Sequence, residues 1–169
     1  MMQMLDRGGI PALTDRIREA DTDNPRGYYE FERVKKMKTD PSWLPEARGK
    51  AVKLISSLLY DLPATESYRV IFMEREIDEV LTSQEKMLQR LGQKAAPREA
   101  MKQSFAVHLE RLFDWLPRQP HLQVLRVNYN KLLEDPSACV GEVGGFLGGR
   151  VATAEMMAAI DAGLYRNRA

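Results

Sequence analysis

The segment Tyr68 to Leu88, YRVIFMEREIDEVLTSQEKML, constrains the fold more than any other stretch of this chain. Val70 to Met73 is a short apolar run bounded by polar residues, which predicts a buried strand. Directly behind it, Ile77, Val80, Leu81, Leu88 and Leu91 recur at helical spacing, and Gly92 closes the pattern. A strand that feeds straight into a helix is the building unit of α/β proteins with parallel sheets.

The rest of the chain extends this alternation. Ala51 to Ser56 and His121 to Val127 read as two further strands. A second helix is expected over about Glu99 to Leu116, with Met101, Phe105, Leu109, Leu112, Phe113 and Leu116 as its apolar face and Pro117 as its stop. Asp135 is placed to cap a helix that Pro136 opens, and Thr153 to cap a last helix ended by Gly163. At the front, Met1 to Leu5 is helix-prone and Gly8 and Gly9 stop it. Residues 10–20 predict a short extended piece and a turn. Asp23, Asn24, Pro25 and Gly27 form a loop, Tyr28 to Lys38 predicts a helix, and residues 41–49 form an irregular stretch anchored by Trp43. The length of 169 residues suits one domain over 1–169, built as a three-layer parallel sheet with helices on both faces.

Composition narrows the function. The net charge of +1 argues against a polybasic nucleic-acid surface. Cys139 is the single cysteine, which leaves no internal disulfide and no cysteine-built metal site, and a reducing, cytoplasmic setting is expected. His108 and His121 are the only histidines, and neither is placed against a nucleophile, so a hydrolase triad has no support. No apolar run is long enough to predict a membrane span.

The candidate site residues follow from the alternation. Arg75 stands at the junction of strand and helix and Ser83 two turns inside the helix, close to the carboxyl end of a parallel strand, where open α/β sheets bind ligands. A guanidinium offers a planar fork of donors to a phosphate and the hydroxyl offers one more. A surface arginine and a solvated serine are the plain alternative. The loop TDNPRGYYEFERVKK places Tyr28 and Tyr29 where they can line a substrate, with Glu30 or Glu32 able to accept a proton. Lys53 is able to offset charge on a transferring group, or else to be a salt-bridged edge lysine. Arg166 and Arg168 in the basic tail can fold back on a phosphate, or fray.

Taken together, the DNPRGYYEFE loop, VKLISSLL, VIFMEREIDEVLTSQEKML, VNYNKLLEDP and the closing LYRNR resemble bacterial sulfotransferases that use 3'-phosphoadenosine 5'-phosphosulfate (PAPS), a family related in fold to P-loop kinases. The resemblance covers nearly the whole chain. It implies that Arg75 and Ser83 hold the 3'-phosphate of PAPS, with Arg166 and Arg168 as further cofactor contacts, and that adenosine 3',5'-bisphosphate is the product. It also implies that Glu30, or else Glu32, is the base and that Lys53 offsets charge on the transferring group. The family's histidine after the second strand is replaced here by Ile55, Ser56 and Ser57. The family's opening strand and the loop that cradles the 5'-phosphosulfate have no counterpart ahead of MMQML. An N-terminally truncated domain is therefore expected, either as a fragment or as a degenerate relative.

The resemblance implies sulfonyl transfer to a hydroxyl or amine on a small-molecule, sugar, lipid or peptide acceptor, without a metal and with a homo-oligomer allowed. Two other readings stand beside it. One is a catalytically inactive nucleotide-binding or protein-interaction module. The other is a P-loop kinase relative, which would transfer phosphate, usually with magnesium.

Overall fold

A computed structural model describes residues 1–18, 20, 27–161 and 163. The chain is mixed α/β: a two-stranded parallel sheet with helices. It divides into two compact units, one holding 1–66 and 140–160 and the other Ser67–Cys139.

The second unit is built on the strand–helix signal. Strand β1 runs Tyr68–Glu74 and β2 runs Leu122–Asn128, paired in parallel from Tyr68↔Leu122 to Glu74↔Asn128. Between them lie helix α3 (Ile77–Arg90) and helix α4 (Arg98–Trp115). Gly92, with φ +67, supplies the left-handed residue that ends α3. Leu81 and Leu112 are buried, whereas Leu91 lies just past α3 and is 63 % exposed, so it is not part of the helix's inner face. Phe113 of α4 packs edge-on against Phe72 of β1 at 5.1 Å between ring centroids. The guanidinium of Arg126, the register partner of Phe72, lies 4.1 Å from the Phe113 ring centroid.

A charged clamp closes the α3–α4 pair. Arg98 forks onto both oxygens of Glu85 at 3.0 Å and also donates to Asp78, while Lys102 donates to Asp78 at 2.7 Å. The Lys102 hydrogen bond, with Arg98 behind it, holds the Asp78 carboxyl below its ordinary value of 3.8. After β2 come α5 (Tyr129–Glu134) and α6 (Pro136–Phe146). Asn128 caps α5 by accepting the Asn130 and Lys131 N–H groups, and Asp135 accepts the Ala138 N–H at the start of α6, as its position before Pro136 predicts.

The first unit contains α1 (Met2–Arg7), α2 (Leu44–Ala47) and α7 (Thr153–Ala158). Gly8 lets α1 approach α7 closely: a Cβ there would lie 2.6 Å from Met156 Cγ, and the Gly8 carbonyl accepts the Ala152 N–H at 3.0 Å. Trp43 is buried and meets Phe31 edge-on at 5.4 Å, which makes it the anchor expected for residues 41–49.

Three expected elements take other forms: helix α7 has Ala152, not Thr153, as its N-cap and ends at Ala158, well before Gly163. Ala51 to Ser56 makes only an isolated bridge from Ala51 to Ala12, and Ser56–Asp61 winds into a 3-10 turn. Ile55 is 66 % exposed, so the apolar run lacks the burial that holds a strand in a parallel sheet. The helix expected over 28–38 shrinks to a 3-10 turn at Glu32–Lys36, because Tyr29 sits at φ 52 and Phe31 is extended.

Gly8→Ala is expected to lower stability by about 1–3 kcal/mol, the usual result of overpacking, in urea denaturation. Asp78→Asn gives a pH-dependent difference. A depressed carboxyl stabilises the fold above its unfolded pKa and loses that contribution as pH falls through its folded value. The stability gap between wild type and Asp78→Asn should therefore be widest near neutrality and close as pH drops below 3.8, read from urea midpoints across pH.

Candidate functional site

Three extended segments of the first unit build one cluster. Residues 11–13 pair with Ala51 through Leu13 N–H to the Ala51 carbonyl and Ala51 N–H to the Pro11 carbonyl, both at 2.9 Å. The same strut then grips residues 30–32. The Asp15 N–H and the Thr14 hydroxyl both donate to the Glu30 carbonyl, at 3.2 and 2.9 Å. The Asp15 carboxylate accepts the Glu32 N–H at 2.6 Å and the Ile17 N–H at 3.1 Å. These backbone donors, Glu32 first, hold the Asp15 carboxyl below its ordinary value. Arg16 and Tyr29 flank the strut at φ 58 and 52, the left-handed region that side chains other than glycine seldom adopt.

This backbone brings Lys53 to Glu30. Lys53 Nζ donates to the Tyr28 carbonyl at 3.0 Å and lies 3.5 Å from Glu30 Oε1. Arg18 Nη1 reaches the same oxygen, also at 3.5 Å. The Arg18 guanidinium carbon is 3.3 Å from the centroid of the Tyr28 ring, and Lys53 Nζ is 5.8 Å from it. Glu30 and Lys53, expected separately as base and charge-offsetting group, are together in space. Glu32 is not with them, because its carboxylate is taken by Lys35 at 2.7 Å, which raises the lysine's pKa. The sequence reading missed Arg18, since nothing in its spacing connects it to Glu30. Only the hydrogen bonds from Thr14 and Asp15 do.

A second cluster stands at the carboxyl ends of β1 and β2. Arg75 Nε donates to Glu79 Oε2 at 2.8 Å, and the Glu79 side chain is only 2 % exposed against 25 % for Arg75. Asn130 Nδ2 lies 3.5 Å from the other Glu79 oxygen, and the Arg75 guanidinium carbon is 5.2 Å from the Tyr129 ring centroid. The Glu74↔Asn128 register puts the start of α5 beside the start of α3. Ser83 is one helical turn beyond Glu79, on the stripe that Glu79 defines. Glu79 is thus a buried counter-ion to Arg75. The Arg75–Glu79 spacing of four residues was the available signal.

Arg166 and Arg168 lie outside the described residues. Among the described residues, no His, Cys, Asp and Glu side chains form a group of three or more that could hold a metal ion, and no helix is long and apolar enough to cross a membrane. The chain matches no family model, no curated protein and no solved structure.

Arg75→Ala removes the guanidinium from a carboxylate that is almost fully buried. The expected loss is about 3 kcal/mol, the low end for a broken buried pair because the arginine is partly exposed. Arg75→Lys keeps a counter-charge and should lose much less. Urea denaturation of the two variants checks the difference.

Proposed function

We propose that this chain is a PAPS-dependent sulfotransferase domain acting on a hydroxyl or amine acceptor. The observation that carries the reading is Arg75 at the carboxyl end of a parallel strand, a quarter exposed, with Ser83 two turns along the helix that follows. The ring of Tyr129 and the side chain of Asn130 stand beside it. A partly exposed guanidinium steadied by a buried carboxylate suits a phosphate dianion, because its orientation is fixed before the ligand arrives. Arg75 and Ser83 would hold the 3'-phosphate. When bound, PAPS supplies an activated sulfonyl group.

Glu30, with Lys53 at 3.5 Å, is the second support. Glu30 accepts the proton of the acceptor hydroxyl, and Lys53 offsets negative charge that develops on the transferring group. Glu30 is preferred to Glu32 as the base because Glu32 is closed onto Lys35. On this reading the β1–β2 pair belongs to a three-layer sheet of P-loop kinase type. The parallel pairing, the helical crossover and the half-buried state of Val70, Ile71, Phe72 and Met73 in β1 favour that architecture.

The test is calorimetric binding of adenosine 3',5'-bisphosphate to the wild type, Arg75→Lys and Ser83→Ala, with adenosine 5'-monophosphate and ADP as comparison ligands. The expected result is binding that requires the 3'-phosphate and weakens about ten-fold or more in Arg75→Lys, since an ammonium cannot reproduce the planar fork. ADP binding that is stronger and magnesium-dependent would favour the kinase reading. Equal binding of all three nucleotides, or none, by folded protein would overturn the proposal.

A further inference from the structure

Glu30 Oε1 is approached by two cations from different segments, Arg18 Nη1 and Lys53 Nζ, each at 3.5 Å. Both contacts are long. In the same unit Lys35 closes on Glu32 at 2.7 Å, and Arg48 Nε reaches Glu66 at 3.1 Å. The convergence is therefore electrostatic, with room for either cation to shorten onto a better-placed oxygen. The Arg18 and Lys53 side chains are 44 % and 41 % exposed, so an ion from solvent can reach them.

The surroundings fix the positions of these groups. Tyr28 lies against the Arg18 guanidinium, and its carbonyl accepts from Lys53. The Glu30 backbone is tied through its carbonyl to Thr14 and Asp15, but its side chain is described only with the two cations. The backbone can stay in place while the carboxylate swings out. Two left-handed residues, Arg16 and Tyr29, sit in the segments that carry Arg18 and Glu30, a kind of strain that collects at ligand sites.

We infer that Arg18 and Lys53 form a binding site for a sulfate-like oxyanion, and that the Glu30 carboxylate occupies it as an internal counter-ion until the ligand displaces it. The oxyanion takes over the two cations, and the displaced Glu30 is freed to face an acceptor. That last consequence rests on the sulfotransferase reading, whereas the anion site rests on the geometry of the first unit alone. No covalent step is involved: the carboxylate moves into solvent and the incoming dianion pairs with the two cations.

The internal counter-ion makes an unusual prediction: removing a negative charge should strengthen anion binding without adding any contact. Inorganic sulfate is titrated into the full chain at constant ionic strength made up with chloride, and the backbone amide NMR shifts of Tyr28, Tyr29 and Glu30 are followed. A parallel titration uses acetate. Wild type should bind sulfate saturably and more tightly than acetate. Glu30→Gln should bind sulfate more tightly by about five-fold or more, the order expected when the exposed ion pairs to the two cations no longer compete. Lys53→Met and Arg18→Met should each lose most of the binding, with amide dispersion showing that each is folded. If one of the two unfolds, the other decides.

Glu30→Gln binding no more tightly than wild type, Lys53→Met binding as wild type does, or shifts that chloride reproduces would each overturn the site. Loss of the sulfate site with retained 3'-phosphate-dependent nucleotide binding would remove this inference and leave the sulfotransferase reading standing. The reverse pattern would do the opposite.

Discussion

Two parallel strands cannot be joined by a tight turn, and the second unit is organised by that constraint. Once Tyr68–Glu74 and Leu122–Asn128 pair in parallel, the chain between them must travel back along the sheet. It does so through α3 and α4, and Phe113 returns the second of these helices to Phe72 on the first strand. The same pairing leaves the carboxyl ends of both strands on one side. Arg75 and Glu79 follow one strand there, and Asn128, Tyr129 and Asn130 follow the other.

Charge is deployed differently in different places. On α3 and α4, Asp78, Glu85, Arg98 and Lys102 form a largely solvated network whose individual links are weak. At the strand ends a single carboxylate, Glu79, is taken almost out of water and must have a partner. Arg75 therefore has a structural duty that would hold it in place whether or not a ligand binds. Truncation to alanine removes the counter-charge of Glu79, while the lysine substitution keeps one.

The Glu30 cluster has no regular element beneath it. Its scaffold is a strut, residues 11–15, which hydrogen-bonds first to Ala51 and then to residues 30–32. Hydrogen bonds made by the Thr14 hydroxyl and by the backbone N–H and carboxylate of Asp15 do here what a strand ladder does at the other cluster. The arrangement places side chains accurately while leaving Arg18 and Lys53 open to solvent.

Periodicity determined much of the second unit in advance. The apolar run at Val70, the helical stripe behind it, the stop at Gly92 and the Asp135–Pro136 cap all act over a few residues, and the structure follows them. The chemistries of Glu30 and Lys53 were each legible, though not their contact. Tertiary structure alone decided the rest. Ala51 to Ser56 has a strand's composition but makes one bridge, because the exposed Ile55 gives that segment no buried face to hold a ladder. Residues 28–31 stay out of a helix because the Glu30 carbonyl accepts from Thr14 and Asp15, and the Tyr28 carbonyl from Lys53, not from the next turn of a helix. Arg18 joins Glu30 for the same reason. Short-range order is set by neighbours in sequence, but which distant backbone group satisfies a donor, and which cation meets a carboxylate, is settled only when the segments pack.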